Sequence, residues 1–167
     1  WKLEMSEIVN WIGSVCSILG AIYALRQANI AKKAANLAQS IKHQLISHRK
    51  TSELSELQAL LNAAQKAFNK YGSSNPKGLA GISHNLDAEV VLDFIHKLKS
   101  FRDYFSDHST NVADETYNEI YLELIEFRKA SSGKKISEHG SNILNIVVGF
   151  SPNLKRELTD QKESVVE

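Results

Sequence analysis

The sequence predicts an all-α protein: an N-terminal transmembrane helix that continues as a stalk into a small cytoplasmic helical bundle, with the chain assembled as a homo-oligomer. Three observations carry this prediction. An uncharged run, Ile8 to Leu25, stands near the start. Elsewhere apolar residues recur at helical spacing, and no alternating strand pattern appears. Small residues repeat in alternating steps of three and four through the run and beyond it. The predicted boundaries are residues 6–50 for the membrane helix with its basic stalk and 51–167 for the cytoplasmic domain. Met5, the sole methionine, is read as the native start, which sets residues 1–4 aside.

The uncharged run would extend about 27 Å as a helix, against a hydrocarbon core of about 30 Å. Trp11 and Tyr23 lie near its two ends, where amphipathic rings favour the membrane interfaces. Ser6 can cap its start. No basic leader precedes the run after Met5, so it does not read as a cleaved signal. The other reading of the segment is a buried core helix.

Charge is unevenly distributed. Residues 26–50 hold six basic residues and no acid, whereas residues 52–167 hold 13 basic and 17 acidic ones. A basic collar after the span predicts a cytoplasmic C-terminal part and an outside N-terminus, the orientation of a single-pass protein. The formal net charge is only +1, so bulk composition does not point to a general nucleic-acid binder.

The repeating small residues give a heptad seam: Asn10, Gly13, Ser17, Gly20, Ala24, Gln27, Ala31, Ala34 and Ala38, continued by Ile41 and Leu45. In lipid, helices gain nothing from burying apolar surface on one another, so small residues that let backbones approach are the expected interface. Asn10 and Gln27 are costly against lipid and tolerable where they pair across a bundle or line a wet passage. The seam therefore predicts parallel self-association. A chance stripe in an Ala-rich helix is the alternative.

With no Pro or Gly between Ala21 and Tyr71, the helix should run as a stalk to about Ser47. A break near His48 to Ser52 is expected because Ser55 and Gln58 form a capping-box pattern. The next helix would bury Leu54, Leu57, Leu61, Ala64, Phe68 and Tyr71. "YGSSNPKGLAGISHN", Tyr71 to Asn85, has loop composition. Beyond it Val91, Phe94, Ile95, Leu98, Phe101 and Phe105 share one helical face, as do Ile120, Leu124 and Phe127. "ILNIVVGF", Ile143 to Phe150, reads as a buried helix, or alternatively a strand. Ser151 and Pro152 predict the start of a last short helix to about Lys162.

Chemical motifs are few. A lone cysteine, Cys16, excludes an intramolecular disulfide and a multi-cysteine zinc site. The six histidines lack paired metal-ligand spacing, so no metal and no cofactor are expected. "GSSNPKGLAG" is not a phosphate loop, because Lys77 precedes a glycine and no strand leads into it. "RDYFSDH" resembles the Arg-x(4–6)-His motif of HEPN ribonucleases. That resemblance implies His108 as acid/base and Arg102 as phosphate contact, an alternative reading of the chain as a membrane-tethered ribonuclease.

Lys42, His48, Arg49 and Lys50 form the candidate anion or nucleic-acid site. Their plainest role is contact with anionic lipid headgroups. Repeated around a tetramer, Arg49 and Lys50 alone would set eight positive charges at one level, which suits an oligonucleotide or cyclic nucleotide.

A short outside N-terminus, a span opening "SEIVNWIGSVCSILGAIYALRQANIAKKAANLAQSIK" and a helical cytoplasmic domain together resemble the small single-pass transmembrane effectors of bacterial anti-phage defence, such as the Hailong-type effector. The resemblance implies a homo-oligomeric channel of the bacterial inner membrane. It also implies control by a nucleotide or DNA oligomer made by a partner nucleotidyltransferase. A passive membrane anchor or scaffold for a partner protein is the remaining alternative.

Overall fold

The computed structural model describes residues 2–72, 83–107 and 110–163, with side chains described for 10–72, 83–105 and 111–163. The loop expected over Tyr71 to Asn85 falls mostly outside these residues, and so does His108. The described chain is all-helical, as the periodicity predicts, with one two-residue antiparallel pairing of Ser106–Asp107 with Thr110–Asn111. It divides into two units, Trp1–Ile46 and Ser47–Glu167.

One helix, α1 (Lys2–Phe68), supplies all that is described of the first unit. Ala, Lys, Gln and Leu dominate it after Gly20, and all are strong helix formers. Every residue from Asn10 to Ile46 is exposed, including Trp11, Ile18, Leu19, Ile22 and Leu25. Among its described residues the unit thus has no buried core, and the core-helix reading does not hold for them in the single chain.

The membrane span expected over Ile8 to Leu25 is covered only in part by the described side chains. Among the described residues no helix is long and apolar enough to cross a membrane. Counted from Asn10, eighteen residues reach Gln27 and take in Arg26, Asn10, two serines and two glycines, which dilute the apolar character. Ile8 and Val9, which open the uncharged run, lie outside the residues whose side chains are described.

The second unit packs the end of α1 against α2 (His84–Ser100), α3 (Val112–Lys129) and α4 (Gly133–Glu163). Leu54, Leu57, Leu61, Ala64, Phe68 and Tyr71 are all buried, in the register that their spacing predicts. Val91, Phe94, Ile95, Leu98 and Phe105 face them, with Phe101 half-buried, and Ile120, Leu124 and Phe127 complete the layer. Ile143, Val147 and Phe150 are buried on α4, so "ILNIVVGF" is helix and not strand. Phe68, Tyr71 and Phe127 make a ring triangle with centroids 5.1 to 5.2 Å apart, a geometry that adds to the gain from area burial.

Two expected boundaries are absent. α1 does not break near His48, because Ser55 is not a cap: its hydroxyl donates to the Thr51 carbonyl at 2.7 Å, and Thr51 donates to the Ser47 carbonyl at 3.0 Å. Such bonds four residues back are those of hydroxyls in a helix interior. Nor does a new helix start at Ser151, since α4 continues through Pro152. The carbonyl that loses its partner belongs to Val148, which is exposed and can be hydrated. α3 does start on a cap: the Asn111 side chain accepts from the Asp114 amide at 3.3 Å, with Asp114 and Glu115 in the first turn.

Candidate functional site

The seam residues occupy one side of α1. Asn10, Gly13, Ser17, Gly20 and Ala24 succeed one another by three and four residues, and Trp11, Val15, Ile18, Ile22 and Leu25 do the same roughly on the opposite side, given 100° per residue. The helix is therefore two-faced in side-chain size. Nothing lies within 4 Å of the position a Cβ would take at Gly13 or Gly20, so both are open to close approach by another backbone. The Ser14 hydroxyl donates to the Asn10 carbonyl at 3.0 Å and Ser17 to the Gly13 carbonyl at 2.9 Å. Gln27 donates to the Tyr23 hydroxyl at 2.9 Å. Ala31, Ala34 and Ala38 continue the row, all exposed.

The four basic candidates are not alike. Lys42 and His48 are exposed. Arg49 donates to Glu53 at 2.8 Å with most of its side chain in solvent. Lys50 is half-buried: its ammonium meets Glu157 of α4 at 2.7 Å and lies 5.0 Å from the centre of the Tyr104 ring. Two of the four basic side chains that a polyanion would meet are thus already engaged by carboxylates of the same chain.

Those partners build a cluster that the sequence reading missed. Tyr104, in the 3-10 turn Arg102–Phe105, donates its phenol to Glu53. That bond and the one from Arg49 hold the Glu53 carboxyl below its ordinary pKa, while the carboxylate raises the Tyr104 phenol. One turn further along α1, Glu56 meets Lys97 of α2 at 2.9 Å. The Arg49–Glu53 spacing of four was visible in the sequence as a helix pair. Glu157 and Tyr104 were not, because only the tertiary fold brings them to residues 50–53. A small recess lined by Tyr104, Phe105, Val112, Asn153, Arg156 and Glu157 opens beside the cluster.

A second polar cluster is internal. Tyr71 donates to Asp87 at 2.5 Å, and Lys70 pairs with the same carboxylate at 2.7 Å. Burial, with the adjoining carboxylate, pushes the Tyr71 phenol well above its ordinary range.

Of the ribonuclease pair, Arg102 is exposed, with Asp103 at 3.6 Å, and His108 lies outside the described residues. Among the described residues, no group of His, Cys, Asp and Glu side chains is placed to hold a metal ion. Comparison with known protein families, curated proteins and solved structures finds no match.

Proposed function

We propose that the first unit inserts into a membrane and self-associates in parallel, and that the protein is a homo-oligomeric effector whose bundled helices form a pore under control of the second unit. The two-faced helix carries this reading. Bulky residues from Trp11 to Leu25 suit lipid, while Asn10, Gly13, Ser17, Gly20 and Ala24 suit close packing or a wet passage. Ser14 and Ser17 bond their own backbone, which lowers the cost of placing their hydroxyls in an apolar medium. Glycine in a helix interior costs roughly 1 kcal/mol relative to alanine. Close helix packing at Gly13 and Gly20 would offset that. Ile8 and Val9 complete the uncharged length that the residues from Asn10 onward lack. The basic residues from Arg26 onward then lie on the cytoplasmic side of the bacterial inner membrane, with Arg26, Lys32 and Lys33 nearest the anionic headgroups. The ligand class, a nucleotide or DNA oligomer, comes from the resemblance to anti-phage effectors.

The test is the mass of the detergent-solubilised full chain, beside its Gly13→Leu variant and a chain that begins at Ser52. The expected result is a discrete ring-sized oligomer, tetrameric in the simplest case, that both changes reduce. A full chain that stays monomeric, or that Gly13→Leu leaves unaltered, would remove the seam as the organiser.

A further inference from the structure

The stretch of α1 from Ser47 to Glu53 belongs to the second unit, yet it holds no buried apolar residue; the core begins at Leu54. What secures it is polar. Lys50 meets Glu157, and Glu53 accepts from Tyr104. The Arg49–Glu53 pair lies within α1 itself and so does not tie the helix to the second unit. Lys50 and Glu157 have only 23% and 20% of their side chains in solvent, so their pair is screened less and is worth more.

Two further observations set this stretch apart. The Ser47 hydroxyl is buried and, among the described residues, has no hydrogen-bond partner, a cost that opening to water would relieve. Tyr104 and Glu157 also line the solvent recess, so water can reach both groups that hold α1. From Leu54 onward the helix is bound by close-packed apolar contacts, which have no such polar release.

We infer that Lys50–Glu157 and Glu53–Tyr104 form a releasable clasp, which lets residues 47–53 of α1 come away from the second unit while the core from Leu54 stays closed. Local opening of this kind draws on the least stable parts of a fold. It is a two-position element of the sort that a ligand or a change of charge can bias. Because α1 runs unbroken from residues 47–53 into the first unit, the clasp is the point where the state of the domain would reach the helix bundle. That consequence rests on the proposed membrane function; the clasp itself does not.

The test reads the clasp without reading any activity. In the full chain carrying Cys16→Ser, Ser47→Cys places a thiol at the buried, unpartnered position, and its alkylation rate reports opening. Ala64→Cys, fully buried among the core residues, is the reference in a parallel chain. Glu157→Gln and, separately, Tyr104→Phe should each speed reaction at position 47 by about tenfold, the loss of one charge-assisted bond. Reaction at position 64 should be unchanged. Equal acceleration at both positions would make these groups general contributors to stability, and no acceleration at position 47 would mean that they do not hold α1. Either result overturns the clasp. A full chain that shows this response at position 47 yet stays monomeric in detergent would instead count against the pore and leave the clasp standing.

Discussion

Gly140 of α4 lies directly against the ring of Tyr71: a Cβ added to it would fall 2.5 Å from the Tyr71 Cγ and 2.6 Å from the Tyr71 Cβ. Both contacts are shorter than carbon atoms tolerate, and the Tyr71 ring is itself held by Phe68, Phe127 and the bond to Asp87. The absence of a side chain at position 140 is what lets α4 approach the 3-10 turn Asn69–Tyr71 that follows α1.

Gly140→Ala should therefore destabilise the protein by roughly 1–3 kcal/mol, the usual cost of forcing atoms into a filled core. Gly149, on the same helix, has open space where its Cβ would be. Gly149→Ala should stabilise by up to about 1 kcal/mol through helix propensity alone. Urea denaturation of the pair checks both signs, and loss of stability in both variants would refute the packing argument.

Tyr71→Phe should cost about 1–2 kcal/mol at neutral pH, since Asp87 stays buried with Lys70 as its remaining partner. The sign with pH follows from the raised phenol. Folded Tyr71 keeps its proton where the unfolded chain has lost it, so its contribution is full below the ordinary tyrosine pKa of about 10 and falls as pH rises above it. The wild-type and Tyr71→Phe stabilities should converge between pH 7 and the strongly alkaline range. A constant gap would mean that Tyr71 does not carry the proton linkage.

The core was readable because its signal is local. Leu54, Leu57, Leu61, Ala64, Phe68 and Tyr71 declare their shared face through spacing alone, and every one is buried. Boundaries were less readable: Ser151 with Pro152 carries a start signal that the buried face of Val147, Phe150 and Leu154 overrides, and the Ser55 hydroxyl that could cap a new helix bonds back to Thr51 inside a continuous one. The clasp was unreadable for a third reason. Lys50 and Glu157 are 107 residues apart, and nothing in either neighbourhood names the other.

Pro152 separates the two readings of α4. Were it the first residue of a new helix, its ring would favour the native backbone and Pro152→Ala would destabilise. Inside a continuous helix, alanine restores an amide that can donate to the Val148 carbonyl and removes the steric cost of the ring. Part of that gain is offset by a more flexible unfolded chain, which leaves a net stabilisation of about 1–2 kcal/mol. Thermal unfolding decides it: a lower midpoint for Pro152→Ala would restore the boundary at Ser151.

The two faces of the first unit make a directional prediction. In a parallel bundle each seam residue meets its own copy, so in a chain carrying Cys16→Ser, Ser17→Cys should form a disulfide-linked dimer under mild oxidation. Ile18 lies one residue on, about 100° around the helix and in the bulky row, where a cysteine should stay unlinked. Both positions are exposed in the single chain, so accessibility does not favour one over the other. Ala31→Cys carries the comparison beyond Arg26. Linking at 17 and 31 but not at 18 would trace one seam through the uncharged run into the basic collar. Linking at 31 alone would confine assembly to the basic segment and leave Gly13 and Gly20 without a packing role. Equal linking at 17 and 18 would mean random collision, and the parallel seam would fall.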